Sequence, residues 1–257
     1  MQSAPEAKKE EAKKPFELTA NVAFTTDYIS RGQSQSFGNP AVQGGLDADL
    51  SNFLQGLILG VWGSSISDTG FPNSSSLEFD PYVGFAHTFN EHLSARIIGQ
   101  WCLYPGGQSS DIPSQNYNSF EIIPSVTYRW LTVTYAYSIT DKAGFNNQLA
   151  VPPLTPNGNS QGSWYLEGAL KFPLFRDDLN LNLVYGYQKV RHYTKASYGS
   201  YGASIDYTLP EDYYGLNLKL GVSGSNNNKA VYTVTKSSGK TLDVGRTRVY
   251  FTLTKCF

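Results

Sequence analysis

The stretch Phe16-Glu17-Leu18-Thr19-Ala20-Asn21-Val22-Ala23-Phe24-Thr25 alternates apolar and polar residues with a period of two. Successive side chains of an extended chain point to opposite faces, so this segment reads as a strand with one oily face and one wet face. The same period recurs downstream. Leu77, Phe79, Val83, Phe85 and Phe89 alternate with Glu78, Asp80, Gly84 and Thr88, and Leu93, Ala95, Ile97 and Trp101 with Ser94, Arg96, Ile98 and Gln100. Phe120, Ile122, Val126, Tyr128 and Trp130 stand against Glu121, Ser125, Thr127 and Arg129, followed at once by Leu131, Val133, Tyr135, Tyr137 and Ile139 against threonines and serine. Residues 164–174, 179–187, 201–209, 216–222 and 249–257 repeat it, and 41–50 and 54–66 complete the set with weaker parity. The result is about twelve strands of roughly ten residues, the length a tilted strand needs to cross a bilayer.

The connections sharpen the reading. Short joins at Ser51-Asn52-Phe53, Asn90-Glu91-His92, Trp130-Leu131, Arg176-Asp177-Asp178 and Pro210-Glu211-Asp212 alternate with long ones at 32–39, 67–76, 105–116, 141–162, 189–198 and 224–244. Short turns on one side and long loops on the other predict an all-β, antiparallel, up-and-down transmembrane β-barrel with short periplasmic turns and long extracellular loops. The rival is a soluble sandwich or lipocalin-like barrel, which hides its apolar face inside. Aromatic placement favours the membrane. Phe53, Phe89, Trp130, Phe172 and Phe257 fall at short-turn ends, whereas Tyr28, Trp62, Trp101, Tyr137, Trp164 and Tyr187 fall toward long-loop ends, a spacing that predicts two interfacial girdles.

Composition agrees. Of 257 residues, 40% are hydrophobic and 14% aromatic but only 16% charged, whereas a soluble domain carries about 25% charge. Mean hydropathy is nonetheless −0.33, and the longest apolar run, Leu57-Ile58-Leu59-Gly60-Val61-Trp62, is far shorter than the roughly 20 residues of a membrane-spanning helix. A net charge of −1 argues against nucleic acid as partner. Met1 followed by Gln2-Ser3-Ala4-Pro5 resembles a start residue joined to a processed exported terminus. Residues 1–15, rich in Glu and Lys, read as a charged flexible tail, with a plug folded back into the barrel as the sharper alternative; residues 16–257 form the barrel domain.

Three groups of residues then resemble a known family. Thr26-Asp27-Tyr28-Ile29-Ser30-Arg31-Gly32-Gln33-Ser34-Gln35-Ser36, Gly38-Asn39-Pro40-Ala41-Val42-Gln43-Gly44-Gly45-Leu46-Asp47 and Gly60-Val61-Trp62-Gly63-Ser64 are similar to the signature of the TorF family of outer-membrane porins. Tyr82-Val83-Gly84-Phe85, Tyr104-Pro105-Gly106, Tyr165-Leu166-Glu167 and the terminal Thr252-Leu253-Thr254-Lys255-Cys256-Phe257 extend the resemblance. It implies an exported Gram-negative barrel with a pore function, surrounded by outer-membrane lipid and lipopolysaccharide. Phe257, with Leu253, Phe251 and Val249 at alternate positions upstream, resembles the signal read by the outer-membrane assembly machinery; Lys255 departs from it.

With the apolar set facing lipid, parity puts Glu17, Asp27, Asp47, Asp49, Glu78, Asp80, Glu121, Glu167 and Asp206 inside, with Arg96, Arg129, Lys171, Lys219, Arg246 and Arg248. These groups either pair across the lumen and stiffen it or form a selective constriction for small polar or charged solutes. In the second reading Arg96, Arg129, Arg246 and Arg248 line a narrow passage opposite Glu78, Asp80 and Glu121, with Lys219, Glu167, Asp47 and Asp49 as further lining. Arg31, in the first long loop, either anchors that loop or serves the passage.

No enzyme is expected. The three histidines, His87, His92 and His192, are placed on the lipid face, in a turn and in a long loop, without a nucleophile partner for phospholipase-type chemistry. Cys102 and Cys256 are too few for a disulfide scaffold and show no metal-ligand spacing, so no metal or cofactor is expected; parity puts them at opposite ends of the barrel, too far apart to bond. A non-conducting adhesin or surface structural barrel is the alternative function. For it the loop containing Val151-Pro152-Pro153-Leu154-Thr155-Pro156 is the natural contact segment, stiffened by its prolines.

Overall fold

A computed structural model describes residues 16–68, 75–107, 117–142, 144–146, 154–236 and 238–257. The tail of residues 1–15 and residues 151–153 of the proline-rich loop lie outside the described residues. Twelve long strands form one closed barrel: β1 (Glu17–Thr25), β2 (Ala41–Asp49), β3 (Leu57–Ser65), β4 (Leu77–Asn90), β5 (Leu93–Cys102), β6 (Ser119–Tyr128), β7 (Leu131–Ser138), β8 (Trp164–Pro173), β9 (Leu179–Lys189), β10 (Tyr198–Thr208), β11 (Asn217–Ser225) and β12 (Arg248–Cys256). Each pairs antiparallel with its neighbours in the chain. The ring closes where Asn21, Val22, Ala23, Phe24 and Thr25 of β1 meet Cys256, Lys255, Thr254, Leu253 and Thr252 of β12.

The turns are built by short polar side chains that take over backbone hydrogen bonds. Asp49 Oδ1 accepts from the Ser51 amide at 2.8 Å, and Asn90 Oδ1 accepts from the amides of His92 and Leu93 at 2.9 and 3.0 Å. The tightest joins among the described residues are the two-residue turns Glu91-His92, between the paired Asn90 and Leu93, and Arg129-Trp130, between the paired Tyr128 and Leu131.

Burial is inverted relative to a soluble protein. Val22, Leu46, Val83, Ile97, Val133, Leu183 and Leu220 are exposed on the outer surface, whereas Ser64, Glu121, Ser138, Gln188, Ser204 and Asp206 are buried inside. Soluble domains bury the first group and expose the second, so a soluble sandwich or lipocalin-like barrel is excluded and the fold is a transmembrane barrel. At the short-turn end Phe53, Phe89, Trp130 and Phe257 project outward, and Trp130 and Phe172 meet at 6.4 Å between ring centroids. Near the long-loop end Trp101, Tyr137 and Tyr187 are exposed, and Trp164 packs between Tyr135 and Tyr187.

Two members of the expected upper girdle are not in it. Trp62 pairs across the sheet with the buried, inward-facing Asp80, and its ring lies 5.4 Å from that of Tyr28 inside the lumen. On β3 the outward positions are Leu59, Val61 and Gly63, so Trp62 has the inward parity. Where tyrosines point inward, glycines accommodate them: a Cβ on Gly60 would stand 2.3 Å from the Tyr82 ring, and one on Gly221 2.6 Å from that of Tyr250.

Outside the barrel mouth, Phe145, Leu154, Val190, Tyr193 and Ala196 form a small buried apolar cluster that joins loops. The Tyr193 hydroxyl lies 2.6 Å from the Asn146 carbonyl oxygen and 2.7 Å from that of Gly158. Leu154, from the proline-rich loop, is therefore committed to a neighbouring loop.

Because Leu183 sits mid-strand on the lipid face, Leu183→Arg lowers stability by about 2–4 kcal/mol in denaturant unfolding from lipid bilayers. An exposed leucine on a soluble surface would respond within about 0.5 kcal/mol, and that smaller value would contradict the assignment of faces.

Candidate functional site

The first long loop folds inward across the barrel. Ile29–Ser30 and Gln33–Ser34 pair as a minimal hairpin whose two-residue turn is Arg31-Gly32, with φ of 48° and 76°. Positive φ at both central residues defines the type I′ turn that matches strand twist. Glycine suits the second position. Arginine in the left-handed region costs roughly 1–2 kcal/mol, so something must hold Arg31 there.

What holds it is Glu121 on the far side of the ring. Arg31 Nη2 lies 2.7 Å from Glu121 Oε2 and Nη1 3.3 Å from Oε1, a two-pronged pair, while Nη1 also donates to Gln188 Oε1 at 3.0 Å. The guanidinium sits 4.6 Å from the centroid of the Tyr165 ring. Burial disfavours its charge, but the Glu121 carboxylate outweighs that and makes the guanidinium more basic than usual. Lys142, from the loop after β7, adds Nζ at 2.8 Å to Glu121 Oε1, and the Ser138 hydroxyl donates to the same oxygen at 3.1 Å. Glu121 is 1% exposed, and a charge that deeply enclosed is tolerated because it is paired and hydrogen-bonded on every side.

The root of the hairpin is pinned separately. Asp27 Oδ1 accepts from the hydroxyls of Ser34 at 2.6 Å and Ser36 at 2.8 Å, and Arg248 Nε stands 3.6 Å from Asp27 Oδ2. At the tip Gly32 packs against β11, two strands from β1 around the ring, so closely that a Cβ would lie 2.3 Å from the Gly224 carbonyl oxygen, while Arg31 reaches across to Glu121. The hairpin thus spans the lumen from β1 and β2 to β6, β8 and β9.

Beneath it lies a cavity of about 500 Å³ lined by Asn21, Glu167, Lys219, Tyr250, Thr252 and Thr254, among others. Its lining offers hydroxyls, amides, aromatic rings and charges of both signs. Tyr165 hydroxyl donates to Glu167 Oε2 at 2.7 Å. Lys219 stands directly across from Asp206, which takes further hydrogen bonds from Asn180 and Asn182 at 3.3 and 2.5 Å.

The residues expected to line a passage divide accordingly. Glu78, Asp80, Glu121, Glu167, Asp47, Lys219, Arg96 and Arg248 lie on lumenal positions. Asp47 hydrogen-bonds the Tyr82 hydroxyl, and Arg96 lies over the Tyr82 ring at 5.1 Å. Asp49 instead faces the solvent end, where it caps the turn at Ser51. Arg129 is exposed in the β6–β7 turn with φ 51°, against Tyr128, because a two-residue hairpin needs its first residue in the left-handed region. Arg246 is exposed in the last long loop, ahead of β12. Arg248 is buried at the hairpin root, donating to the Asp243 carbonyl oxygen at 2.8 Å. The arginines therefore do not face Glu78, Asp80 and Glu121 as a basic stripe; Glu121 is met by Arg31 and Lys142. Alternation has no purchase on those two residues, since both are in loops.

The two cysteines are free, Cys102 buried and Cys256 exposed. His87 faces outward against the Phe89 ring, and His192 Nδ1 lies 2.7 Å from the Asn159 carbonyl oxygen.

A solved structure of the KdgM porin in complex with disordered oligogalacturonate is similar over 93% of this chain and 99% of that chain, with 9% identity and a TM-score of 0.52. The NanC porin is similar over 93% of this chain and 98% of its own, with 8% identity and a TM-score of 0.44. No match is found among curated protein sequences. At such identity the KdgM likeness establishes the barrel fold alone. Sequence supplies the family: a match running over residues 9–257 makes this chain a member of the Gcw_chp family, described as bacterial protein of unknown function.

Proposed function

We propose that the protein is an outer-membrane channel of porin type that passes small polar or charged solutes through a lumen narrowed by the Arg31 hairpin. The observation that carries this reading is a closed, polar-lined barrel crossed at one level by the pinned Arg31 hairpin above a cavity of about 500 Å³. Twelve strands lie between the eight of a barrel filled by side chains and the sixteen of an open porin, which suits a narrow path. Lys219, Arg96, Glu167 and Asp47 border the path below the hairpin; Glu78, Asp80, Glu121 and Arg248 border the hairpin itself. The oligogalacturonate of KdgM is a hydroxylated polyanion, and Trp62, Tyr165 and Tyr250 beside Lys219 offer rings and a cation for a solute of that chemistry.

The TorF resemblance supports the same placement: a bacterial outer membrane, with lipid and lipopolysaccharide around the apolar band, and Phe257 as a recognition point for the assembly machinery. Phe257 is exposed, and Lys255 donates to the Tyr214 carbonyl oxygen at 2.5 Å with its ammonium 5.7 Å from the Phe257 ring centroid. Lys255 thereby occupies its outward position without an unpartnered charge.

In planar bilayers the wild type gives small conductance steps. Gly32→Ala, whose Cβ has no room, and Arg31→Ala both give larger steps. Silence from all three with the barrel folded would exclude the channel and favour an adhesin or a surface structural role. Arg31→Ala also leaves Glu121 with Lys142 and the Ser138 hydroxyl and lowers unfolding stability by about 1–3 kcal/mol; Arg31→Met combined with Glu121→Met and Lys142→Met recovers part of that loss, because the whole charged group is replaced and no member of it is left unpaired.

A further inference from the structure

One cluster of buried groups is left over from the hairpin network. Glu78 and Asp80 are two apart on β4, so both point inward, and the register that pairs Tyr82 with Gln100 and Phe79 with Leu103 sets Asp80 directly across from Cys102. Glu78 is 6% exposed, Asp80 5% and Cys102 8%. One ligand atom from each residue lies within 4.8 Å of the other two. The Tyr104 hydroxyl donates to Glu78 Oε1 at 3.3 Å, and Gln100 Nε2 donates to Asp80 Oδ2 at 3.0 Å and stands 3.6 Å from Cys102 Sγ. The second oxygens, Glu78 Oε2 and Asp80 Oδ1, have no hydrogen-bond partner among the described residues.

An enclosed carboxylate oxygen without a partner is costly, and the cations nearby, Arg31 and Lys142, are both committed to Glu121. A proton shared by the two acids would relieve the cost, but it gives no role to the sulfur placed opposite Asp80. Two carboxylates and a thiolate make a ligand set for a borderline-soft divalent ion. We propose that Glu78, Asp80 and Cys102 bind one divalent cation of the zinc type on the lumenal wall near the long-loop end. Binding is balanced by loss of the Cys102 thiol proton to solvent: the S–H bond breaks and an S–metal bond forms, with no change of oxidation state. Ligand atoms at about 2.0–2.3 Å from a tetrahedral ion stand about 3.3–3.8 Å apart, so the three side chains close by about 1 Å, and a fourth position stays open to water. The site stands whether or not the barrel conducts.

The test uses the full chain without a histidine tag, folded in detergent, with Cd²⁺ as the spectroscopic probe and Zn²⁺ as competitor. The expected result is an ultraviolet thiolate-to-cadmium charge-transfer band that saturates at one equivalent, is displaced by Zn²⁺, persists in Cys256→Ser and is lost in Cys102→Ser. Glu78→Gln and Asp80→Asn each weaken binding by more than the roughly 10–100-fold seen when only a hydrogen-bond partner of a ligand is removed. Absence of the band in the folded wild type, or a band that survives Cys102→Ser, overturns the proposal. Should Cys102→Ser fail to fold, unaltered Cd²⁺ affinity in both folded carboxylate variants overturns it equally.

Discussion

Everything in this molecule depends on closing the sheet. In hydrocarbon no water is present to satisfy backbone N–H and C=O groups, so a β protein that spans a membrane cannot leave an edge. The seam between β1 and β12 is the shortest commitment in the ring, five register pairs against nine between β1 and β2. It is extended at both ends. The amides and carbonyls of Ala20 and Phe257 exchange hydrogen bonds of 3.2 and 2.8 Å at one end; at the other, the Thr26 amide donates to the Phe251 carbonyl oxygen and the Thr26 hydroxyl accepts from the Phe251 amide, each at 2.9 Å. The terminal phenylalanine is thus part of the closure and not an appendage to it.

Closure with the apolar face outward sends the polar face into a confined space, and that creates the second problem the structure solves. Inward side chains must satisfy one another. Serines, asparagines and glutamines do so within the wall, as around Asp206 and Gln188. Glu121 takes, besides the Ser138 hydroxyl of the wall, two cations that arrive from loops, Arg31 and Lys142. The hairpin that narrows the lumen is therefore held by the electrostatic need of a wall residue. Its left-handed arginine, unfavourable alone, is paid for by that pair. Glu78 and Asp80 on the adjoining wall receive no ion-pair partner from the described residues, and this asymmetry between neighbouring acids distinguishes their corner from the hairpin contact.

The architecture was legible because a strand's two faces meet different solvents, and a period of two records which face meets which. Twelve segments, their alternate short and long joins and most outward aromatics follow from that record. It misleads where local rules compete. Arg129 continues the alternation of β6 but lies in a two-residue turn, and Trp62 has an aromatic side chain near the long-loop end yet occupies an inward position. A girdle assignment from position along the strand alone cannot separate Trp62 from Trp101; counting parity from Leu59 and Val61 does.

Sequence by itself determined the strand count, the sense of the faces and the polar character of the interior, because these depend on hydrophobicity and spacing within single segments. Which charges meet was decided only by tertiary structure. Arg31 lies 90 positions from Glu121 and Lys142 lies 21 from it, while Cys102 reaches Asp80 through a strand register. Those contacts arise from the curvature of a closed ring, which brings remote walls within reach of one short loop, and no periodicity along the chain encodes that distance.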